Sequence, residues 1–362
     1  MKCIKKTIAC VLASIMILLC GCGAVNTDTK PTESKKSASE TTVKASKTQR
    51  HKVIIDTDAG SDDAAALVLA ATSEQLDILG VTVLYGNVPL EKAAKNALMT
   101  LELCDVEAPV YIGAKKPLKK ELEEMISVHG KDGMGDQDLI HPKRSAEDGD
   151  AVDFILDTIK SDPGEVEIIA VGPLTNIALA VKKDPDTMKL CKRIWVMGTT
   201  GFGAGNATPV SEFNVYSDAE AYDTVLRAEL PMTILGLDMC SIKEVMITKN
   251  EMTKLAQGNE KGVFMSKAFT KLFAFEQENG MDMMIPDPIA VACLIWPDIV
   301  LETKSCYGEV CTDNDSTYGQ VILYEEGAVY EAMPQIGSYN LDVVTKIDTK
   351  LFKDYFMSLL TE

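Results

Sequence analysis

Four aspartates crowd a short stretch that follows an apolar run near residue 50. The run spans 53–55, and the acids are Asp56, Asp58, Asp62 and Asp63. Four negative charges this close repel one another strongly unless a cation or a positive dipole offsets them. The cluster offers oxygen ligands only, which is typical of Ca²⁺ or Mg²⁺ sites rather than zinc sites. The pattern therefore predicts a hard divalent cation and chemistry that such a cation assists.

The elements on either side indicate how the acids are positioned. The apolar run predicts a buried strand and residues 64–71 predict a helix, so the acids occupy the loop between them. In open α/β sheets the crevice at the carboxyl ends of the strands is where ligands bind. Ala59 and Gly60 allow the backbone to turn tightly inside the cluster. A solvated loop in which Asp62 or Asp63 only caps the helix is the plainer alternative, but a cap requires one short polar side chain rather than four carboxylates.

Two kinds of chemistry fit such a loop. In the first, carboxylates hold a metal that activates water. In the second, an aspartate is the nucleophile of a phosphatase of the haloacid dehalogenase type, whose Asp-x-Asp also follows a strand. The phosphatase would need a later acidic metal motif, for which a polar stretch with Asp150 and Asp153 supplies the candidates.

Strands and helices alternate along most of the remaining chain, which predicts one α/β domain with an open, mostly parallel, mixed sheet flanked by helices. The later predicted strands are 76–85, 109–113, 167–172, 193–197 and 231–237, with further strands and hairpins after residue 300. The later predicted helices are 90–103, 151–160, 173–181, 218–228, 248–257, 263–277, an apolar helix that begins at Asp287, and 351–360.

Further polar residues stand where predicted strands end or helices begin. His129 lies in a glycine-rich part of the polar stretch 114–150, which predicts a flexible loop or lid, although a histidine in such a loop is more often a simple surface residue. Thr175 and Asn176 open a helix, where a cap is the plain interpretation and a carbonyl ligand for Ca²⁺ the functional one. The other candidates are Asn206, Glu212 and Asn214, whose groups suit sugar hydroxyls, and Asp287.

The first residues predict export. Lysines precede an apolar run that ends in Leu19-Cys20-Gly21-Cys22, which resembles a bacterial lipobox, so residues 1–22 are predicted to be a lipoprotein signal peptide with the lipid on Cys22. The alternative, a plain transmembrane anchor, would need a longer run. Residues 23–50 are rich in Ser, Thr and Lys and predict a disordered tether. The domain 51–362 is thus expected outside the cytoplasmic membrane, held there by its lipid anchor only.

The composition of the chain limits the kinds of partner that it can bind and the state of its cysteines. The chain has 362 residues, 46% of them hydrophobic, and a formal net charge of −18, so it can bury a large core but cannot neutralise the phosphates of a nucleic acid. Six of its ten cysteines follow the tether, mostly in apolar segments that predict buried free thiols. Cys306 and Cys311 flank a polar turn and are the pair that suggests a disulfide across a hairpin.

Taken together, these stretches resemble the nucleoside N-ribohydrolases, the inosine–uridine nucleoside hydrolase family, over roughly residues 51–350. The family signature Asp-x-Asp-Pro-Gly-x-Asp-Asp stands here as Asp56-Thr-Asp-Ala-Gly-Ser-Asp-Asp63, with Ala59 in place of proline. The supporting matches, in the family's order, are Tyr85-Gly-Asn87, His129-Gly-Lys-Asp-Gly-Met-Gly135, Gly172-Pro-Leu-Thr-Asn176, Gly205-Asn-Ala-Thr-Pro209, Glu212-Phe-Asn214 and Asp287-Pro288. The resemblance implies a Rossmann-like fold, a ribonucleoside substrate, a Ca²⁺ cofactor and a homo-oligomer, a dimer or tetramer.

The resemblance also implies roles for individual residues. Asp58, Asp63, the Thr175 carbonyl and Asp287 would bind Ca²⁺, and Asp58 would be the general base for the attacking water. The implied substrate contacts are Asp62 to the ribose 2′-hydroxyl, Asn214 and Asp287 to the 3′-hydroxyl, Asn206 and Glu212 to the 5′-hydroxyl, with Asn87 and Asp56 supporting the cluster and the sugar. Breaking an N-glycosidic bond builds positive charge on the ribose, which surrounding carboxylates stabilise.

One position departs from the family pattern. Many members carry a histidine just before the late aspartate, where it is the usual candidate for protonating the leaving base; here that position is Pro286, which cannot donate a proton. The segment 273–285 also lacks the tyrosines common there. His129 could protonate the base instead. The alternative is a surface lipoprotein that binds ribosides and hydrolyses them poorly or not at all.

Overall fold

The computed structural model describes residues 50–121, 125–329 and 337–362. The chain divides into two units, 1–47 and 48–362, and the architecture below is that of the second unit. The predicted signal peptide, Cys22 and almost all of the predicted tether lie outside the described residues. Among the described residues, no helix combines the length and the apolar character needed to cross a membrane.

The described residues form one nine-stranded sheet in the spatial order β3-β2-β1-β4-β5-β6-β9-β7-β8. The strands β1 to β6 and β9 run parallel, and β7 is antiparallel to both β9 and β8. The strands are β1 His51–Thr57, β2 Leu76–Val83, β3 Val110–Ile112, β4 Val166–Ala170, β5 Arg193–Met197, β6 Met232–Leu235, β7 Val300–Val310, β8 Val321–Glu325 and β9 Leu341–Ile347.

Helices cover both faces of this sheet. They are α1 Ser61–Thr72, α2 Leu90–Leu103, α3 Ile126–His129, α4 Ala151–Ser161, α5 Thr175–Lys183, α6 Pro185–Met188, α7 Phe213–Ser217, α8 Ala219–Arg227, α9 Leu237–Cys240, α10 Lys249–Leu255, α11 Glu260–Ala268, α12 Thr270–Glu278, α13 Pro286–Ile295 and α14 Thr349–Thr361.

The strand β1 is central because apolar side chains leave it on both faces. Val53 and Ile55 belong to the core on one face of the sheet, while Ile54 belongs to the core on the other. A strand buried on both faces carries a continuous apolar run rather than an alternating one, which is what the sequence has here. With β2 on one side of β1 and β4 on the other, the order in which successive strands are added to the sheet reverses at β1, and such a switch point opens a crevice at the carboxyl ends of the strands.

The predicted fold class is confirmed: this is a mixed α/β sheet, open and flanked by helices. Most predicted elements are present with bounds shifted by a few residues. The predicted helix 263–277 is instead two helices, α11 and α12, which meet at Phe269.

The predicted disulfide between Cys306 and Cys311 is wrong, since both thiols are free. Cys306 lies within β7 and Cys311 follows its last residue, so the two cysteines belong to one extended stretch rather than to facing strands. Five residues of extended chain separate their Cα atoms by about 16 Å, whereas a disulfide requires less than about 7 Å. The expectation that most of the six later cysteines are buried free thiols is confirmed for Cys191, Cys240, Cys293 and Cys306.

Candidate active site

Two buried helices bring their N-termini together at the carboxyl end of β1. The helix α1 carries Asp62 and Asp63 in its first turn, and α13 carries Asp287 in its first turn. The two helices pack against each other, and both are rich in small and apolar residues that are buried on all sides. Each N-terminus contributes roughly half a positive charge to the space between them. This geometry gathers the predicted acids of the first and last parts of the domain into one pocket.

Asp63 is held in place by the loop that precedes it. Its Oδ1 accepts a hydrogen bond of 2.6 Å from Thr57 Oγ1, and its Oδ2 accepts bonds of 2.9 Å from the Gly60 backbone N–H and from Asn87 Nδ2. The bond from Gly60 caps α1, so the plain capping interpretation is also correct for this residue. Capping accounts for one oxygen of one acid, and the other acids need a different explanation.

Asp58 sits in a tight cradle of backbone. Its Oδ2 accepts a 2.5 Å hydrogen bond from the Asn87 backbone N–H. A Cβ atom on Gly86 would lie 1.9 Å from that oxygen, so only glycine fits beside it. On the other side, a Cβ on Gly172 would lie 3.0 Å from Asp58 Oδ1. Gly86 and Gly172 follow β2 and β4, the strands on either side of β1. Because neither glycine has a side chain, the Asp58 side chain fits between them.

Asp56 is anchored by Thr82 and Asn176, neither of which was predicted to contact it. Its Oδ1 accepts hydrogen bonds from Thr82 Oγ1 and, at 2.8 Å, from Asn176 Nδ2. Asn176 also accepts a 2.8 Å bond from the Ala114 backbone N–H, so it ties β1 to the loop after β3. The predicted cap role of Asn176 does not apply, because it lies inside α5 after an N-cap at Leu174. No sequence pattern distinguishes such a positioning asparagine from a capping one.

The pocket contains acids whose oxygens have no partner in the protein. In the described residues, four buried side-chain oxygens lack any hydrogen bond: Asp56 Oδ2, Asp58 Oδ1, Asp62 Oδ1 and Glu276 Oε2. Burial is the main reason that the pKa of Asp56, of Asp62 and of Asp63 rises to about 6. Burial, followed by the charges of the neighbouring acids, raises the pKa of Asp58 and of Asp287 well above the usual range. The pocket is therefore short of positive charge, and two helix N-termini do not supply enough.

A hard cation fits this shortage. Asp62, Asp63 and Asp287 each place an oxygen within 4.8 Å of the others', a separation that suits oxygens sharing one cation at Ca–O distances of about 2.3–2.6 Å. The predicted ligand set named Asp58 in place of Asp62. Asp58 lies beside this trio, close enough for the charges of Asp63 and Asp62 to raise its pKa after the larger effect of burial. The Thr175 hydroxyl contacts Asp218 and Tyr85, at 2.7 and 2.8 Å, and leaves only its carbonyl for the predicted ligand role.

His129 is buried at the edge of the pocket, so the plain surface interpretation is wrong. Its Nδ1 lies 2.9 Å from Ser61 Oγ, 3.4 Å from the Ser61 backbone N and 3.8 Å from Asp62 Oδ1. Because a backbone N–H can only donate, Nδ1 acts as the acceptor and the neutral ring carries its proton on Nε2. Burial lowers the pKa of His129 to about 4, so the ring is neutral near pH 7.

The glycine-rich segment after His129 is packed rather than open. The Gly135 backbone N–H donates to the His129 carbonyl at 3.0 Å, and Met134 between them is fully buried. A Cβ on Gly135 would lie 2.5 Å from the Lys267 carbonyl, so this turn rests directly on α11. The expected flexible loop is thus closed against the domain in this structure.

The segment predicted to contact the sugar 3′ and 5′ positions lies at the ends of β4 and β5. Asn214 Nδ2 donates to the Val171 carbonyl at 3.0 Å and contacts the Met197 carbonyl at 3.4 Å. Glu212 caps α7 by accepting bonds from the Asn214 and Val215 backbone N–H groups. Burial raises the pKa of Glu212 to about 7. Asn206 is exposed and accepts a 2.9 Å bond from the Phe213 backbone N–H.

The acids that a phosphatase would need lie elsewhere. Asp150 caps α4 by accepting a bond from the Val152 backbone N–H, and Asp153 is exposed and pairs with Lys183. Neither belongs to the group of acids around Asp63 and Asp287. The second acidic motif of the phosphatase hypothesis is therefore not part of the pocket.

Comparisons with known proteins agree with this geometry. Residues 53–354 match the family model described as "Inosine-uridine preferring nucleoside hydrolase". The chain is 34% identical over 264 residues to uridine nucleosidase 1 of Arabidopsis thaliana, covering 71% of this chain and 77% of that protein. It is 32% identical over 308 residues to the non-specific ribonucleoside hydrolase RihC of Escherichia coli, covering 85% and 97%. A solved plant nucleoside hydrolase superposes with a TM-score of 0.80 at 29% identity, covering 86% of this chain and 99% of its own.

Proposed function

The chain belongs to the inosine–uridine preferring nucleoside hydrolase family, and from this premise we propose that it uses Ca²⁺ to hydrolyse the N-glycosidic bond of ribonucleosides, releasing ribose and free base. The observation that carries the proposal is the pocket of unpartnered carboxylate oxygens between α1 and α13. Buried polar groups without partners are rare in folded proteins and mark places where a ligand completes the structure. A hard cation together with the hydroxyls of a ribose would satisfy these oxygens.

The charge of the pocket suits the reaction. As the bond between C1′ and the base nitrogen breaks, positive charge develops on the ribose ring. Carboxylates already fixed around that ring stabilise this charge without having to reorganise. Asp56 is fixed by Thr82 and Asn176, and Asp63 by Thr57, Gly60 and Asn87. In the proposed reaction these anchored acids favour the transition state over the neutral substrate.

Asp58 is the proposed general base. Its Oδ2 is held by the Asn87 backbone N–H, while its Oδ1 is free to accept a proton from the attacking water. A base has to be ionised, and burial, followed by the charges of the neighbouring acids, opposes that by raising the pKa of Asp58. A bound Ca²⁺ would supply the positive charge that favours the carboxylate form and makes a nearby water more acidic. Asp63, Asp287 and the Thr175 carbonyl are the other proposed ligands, with Asp62 close enough to take part.

The remaining polar residues would orient the ribose. We assign Asp62 to the 2′-hydroxyl, Asn214 and Asp287 to the 3′-hydroxyl, and Asn206 and Glu212 to the 5′-hydroxyl. Asn214 uses its amide hydrogens on the backbone, which leaves its oxygen to accept from the sugar. A 2′-deoxyribonucleoside would leave buried polar groups unpaired and should be a poor substrate.

His129 is the proposed proton donor to the leaving base, through Nε2. It borders Asp62, the acid assigned to the hydroxyl next to C1′, and so lies on the side of the pocket where the base would leave. Pro286, at the position where many family members carry histidine, is the first residue of α13 and has no proton to give. The neutral ring would have to act as the acid, since burial keeps its pKa near 4.

The proposed setting is the outer face of the cytoplasmic membrane. The lipobox at Cys22 and the polar segment 23–50 support a lipid-anchored, tethered enzyme that acts on nucleosides outside the cell for salvage. The family supports a homo-oligomer. With a net charge of −18, the catalytic domain is not expected to bind nucleic acid.

The direct test is to incubate the purified protein with a panel of purine and pyrimidine ribonucleosides in Ca²⁺ and to follow release of free base by absorbance. Hydrolysis in Ca²⁺ that stops on chelation and returns on adding Ca²⁺ supports the proposal. Hydrolysis that is indifferent to chelation would refute the metal role, and hydrolysis of nitrophenyl phosphate in Mg²⁺ without release of base would favour the phosphatase.

Pro286 favours one second candidate, capture of ribosides without efficient hydrolysis. A pocket with a ribose site but a weak acid for the leaving base would bind tightly and turn over slowly. Calorimetric binding of inosine or uridine with no released base over hours would support it, whereas turnover within seconds would exclude it.

A further inference from the structure

Glu276 is the one unpartnered buried acid of the described residues that none of the roles above uses. It is 3% exposed and lies in the last turns of α12, where Leu272, one turn earlier, is the other buried residue of the helix. A glutamate thus occupies a position at which the apolar face of the helix would ordinarily carry an aliphatic side chain.

This position is unfavourable for a carboxyl group in three independent ways. Burial removes water from it, and burial raises the pKa of Glu276 to about 7, with a further contribution from the charge of Asp62. The C-terminal end of a helix carries partial negative charge, which repels an acid in the last turns. In the part of the chain that the structure describes, its Oε2 finds no hydrogen-bond donor. The fold alone therefore gives no reason for a glutamate here.

Its neighbours place Glu276 at the base side of the pocket. The acid whose charge acts on it is Asp62, which we assign to the 2′-hydroxyl. The carbon that bears this hydroxyl is bonded to C1′, the carbon that carries the base. The helix α12 also packs against α3, which ends at His129, the proposed proton donor. The other three unpartnered oxygens, on Asp56, Asp58 and Asp62, belong to the ribose and cation site.

We infer that the Glu276 carboxyl accepts a hydrogen bond from an N–H group of the nucleobase and so selects substrates whose base presents such a donor. The inference rests on the proposed function, since it needs a ribonucleoside in the pocket. Hypoxanthine, guanine and uracil present ring N–H groups, and adenine and cytosine present amino groups. A nitrophenyl leaving group presents none, which separates this role from the chemistry at C1′.

The test compares uridine or inosine with nitrophenyl riboside in Glu276→Leu, Glu276→Gln and a matched control, Glu278→Leu, whose position is exposed on the same helix. Loss of a hydrogen bond to a charged group should lower kcat/KM of Glu276→Leu for the nucleoside about 10- to 100-fold, and leave nitrophenyl riboside within about threefold. Glu276→Gln, which keeps an acceptor oxygen, should recover part of the loss. Glu278→Leu should match the unmodified protein on both substrates.

A stability measurement keeps the test decisive. Because Glu276→Leu removes an unpartnered buried acid, its Tm without substrate should rise by about 2 °C or more. Equal losses on both substrates, or a lower Tm, would show a structural role and overturn the inference, as would unchanged uridine and inosine kinetics. If the unmodified protein cleaves neither substrate, the proposed function fails, and calorimetric binding then tests the contact at Glu276. Weaker binding of inosine with unchanged binding of ribose in Glu276→Leu supports the contact. Unchanged or absent binding of inosine refutes it.

Discussion

The loop after β1 and the segment 206–214 at the start of α7 both supply predicted site residues. They differ in whether the protein itself satisfies the hydrogen-bonding groups of those residues. In the loop after β1, Asp56, Asp58 and Asp62 keep oxygens that no described residue satisfies. In the segment 206–214, Glu212 caps α7 and Asn214, in the first turn of that helix, donates to the Val171 carbonyl that follows β4. The first region is incomplete without a ligand, while the second is already complete and serves as a scaffold with spare acceptor capacity.

This difference shows that polar residue type alone does not reveal how a residue contributes to a site. Both regions are buried, both are acidic or amide-rich, and both follow strands at the same edge of the sheet. What distinguishes them is whether the protein supplies the partner. We expect substitutions in the loop after β1 to remove activity and to increase the stability of the folded protein. Substitutions in the segment 206–214 should decrease that stability and affect activity less.

The largest expected effect belongs to Asp58→Asn. The amide keeps an acceptor for the Asn87 N–H but cannot take a proton, and a general base contributes about 10²–10⁴-fold to the rate. We therefore expect kcat for nitrophenyl riboside to fall about 10²- to 10⁴-fold, measured by release of nitrophenol. Asp157→Asn on α4, an exposed aspartate, is the control and should be unchanged. Near-normal turnover by Asp58→Asn would remove the assigned base from the mechanism.

Removal of the proposed Ca²⁺ should change both activity and stability through the acids of the loop after β1, Asp56, Asp62 and Asp63. Burial raises their pKa values to about 6 or above, so between pH 4 and 6 the folded metal-free protein binds more protons than the unfolded chain. Its stability must then fall as pH rises through that range. A saturating cation adds about 2.7 kcal/mol at 100 times its Kd.

We expect activity to vanish in chelator and the rise in Tm on adding Ca²⁺ to be greater at pH 7.5 than at pH 5, as followed by differential scanning calorimetry. A rise that is larger at pH 5, or none at either pH, would contradict the assignment of these acids to a cation.

A third experiment compares the two regions by asking whether a substitution in each raises or lowers the free energy of unfolding. Asp62→Asn removes a buried charge without changing shape and should stabilise the metal-free protein by about 1–3 kcal/mol at pH 7.5. Asn214→Ala leaves the Val171 and Met197 carbonyls without their donor and should destabilise it by about 1–3 kcal/mol. Urea denaturation in chelator measures both. Asn214→Asp, which keeps the size but lacks the donor, should behave like Asn214→Ala, and the same sign for both regions would abolish the distinction.

The smallest effect is expected at Asn206. It is exposed, and its contact within the protein is one hydrogen bond from the Phe213 N–H. Asn206→Ala should raise KM for a nucleoside about two- to tenfold and leave kcat unchanged, since one hydrogen bond contributes about 0.5–1.5 kcal/mol. Steady-state kinetics with Asn206→Asp as the acceptor-keeping control would show this. A large loss of kcat would mean that this segment belongs with the loop after β1.

The sequence supports the fold well because local pattern and tertiary position agree. The apolar run of β1 and the apolar helix after Asp287 are buried on all sides, and their end residues meet at one edge of the sheet as parallel topology requires. The predictions failed where the outcome depended on the path of the chain. Cys306 and Cys311 were placed on facing strands, but β7 continues almost to Cys311. His129 lies in a sequence with the composition of a mobile loop, yet the turn after it packs on α11.

The roles of Asn176 and Glu276 were not predictable for a related reason. Asn176 differs from a helix cap only in its contact with Asp56, which comes from a distant part of the chain. Glu276 differs from a surface glutamate only in the direction that α12 takes after α11. Tertiary contacts of this kind are not encoded in spacing or composition.

The pairing of α1 with α13 has a consequence for how the enzyme matures. Its acids come from the beginning and from late in the domain, so the proposed cation site is complete only when α1 and α13 pack together. Contacts between such remote segments form late because a long loop has to close first. A chain that has not finished folding is therefore not expected to hold the proposed ion. If Ca²⁺ is the ion, as proposed, its binding is expected to be the last step of folding, and the calcium concentration where folding finishes would set how much of the protein becomes active.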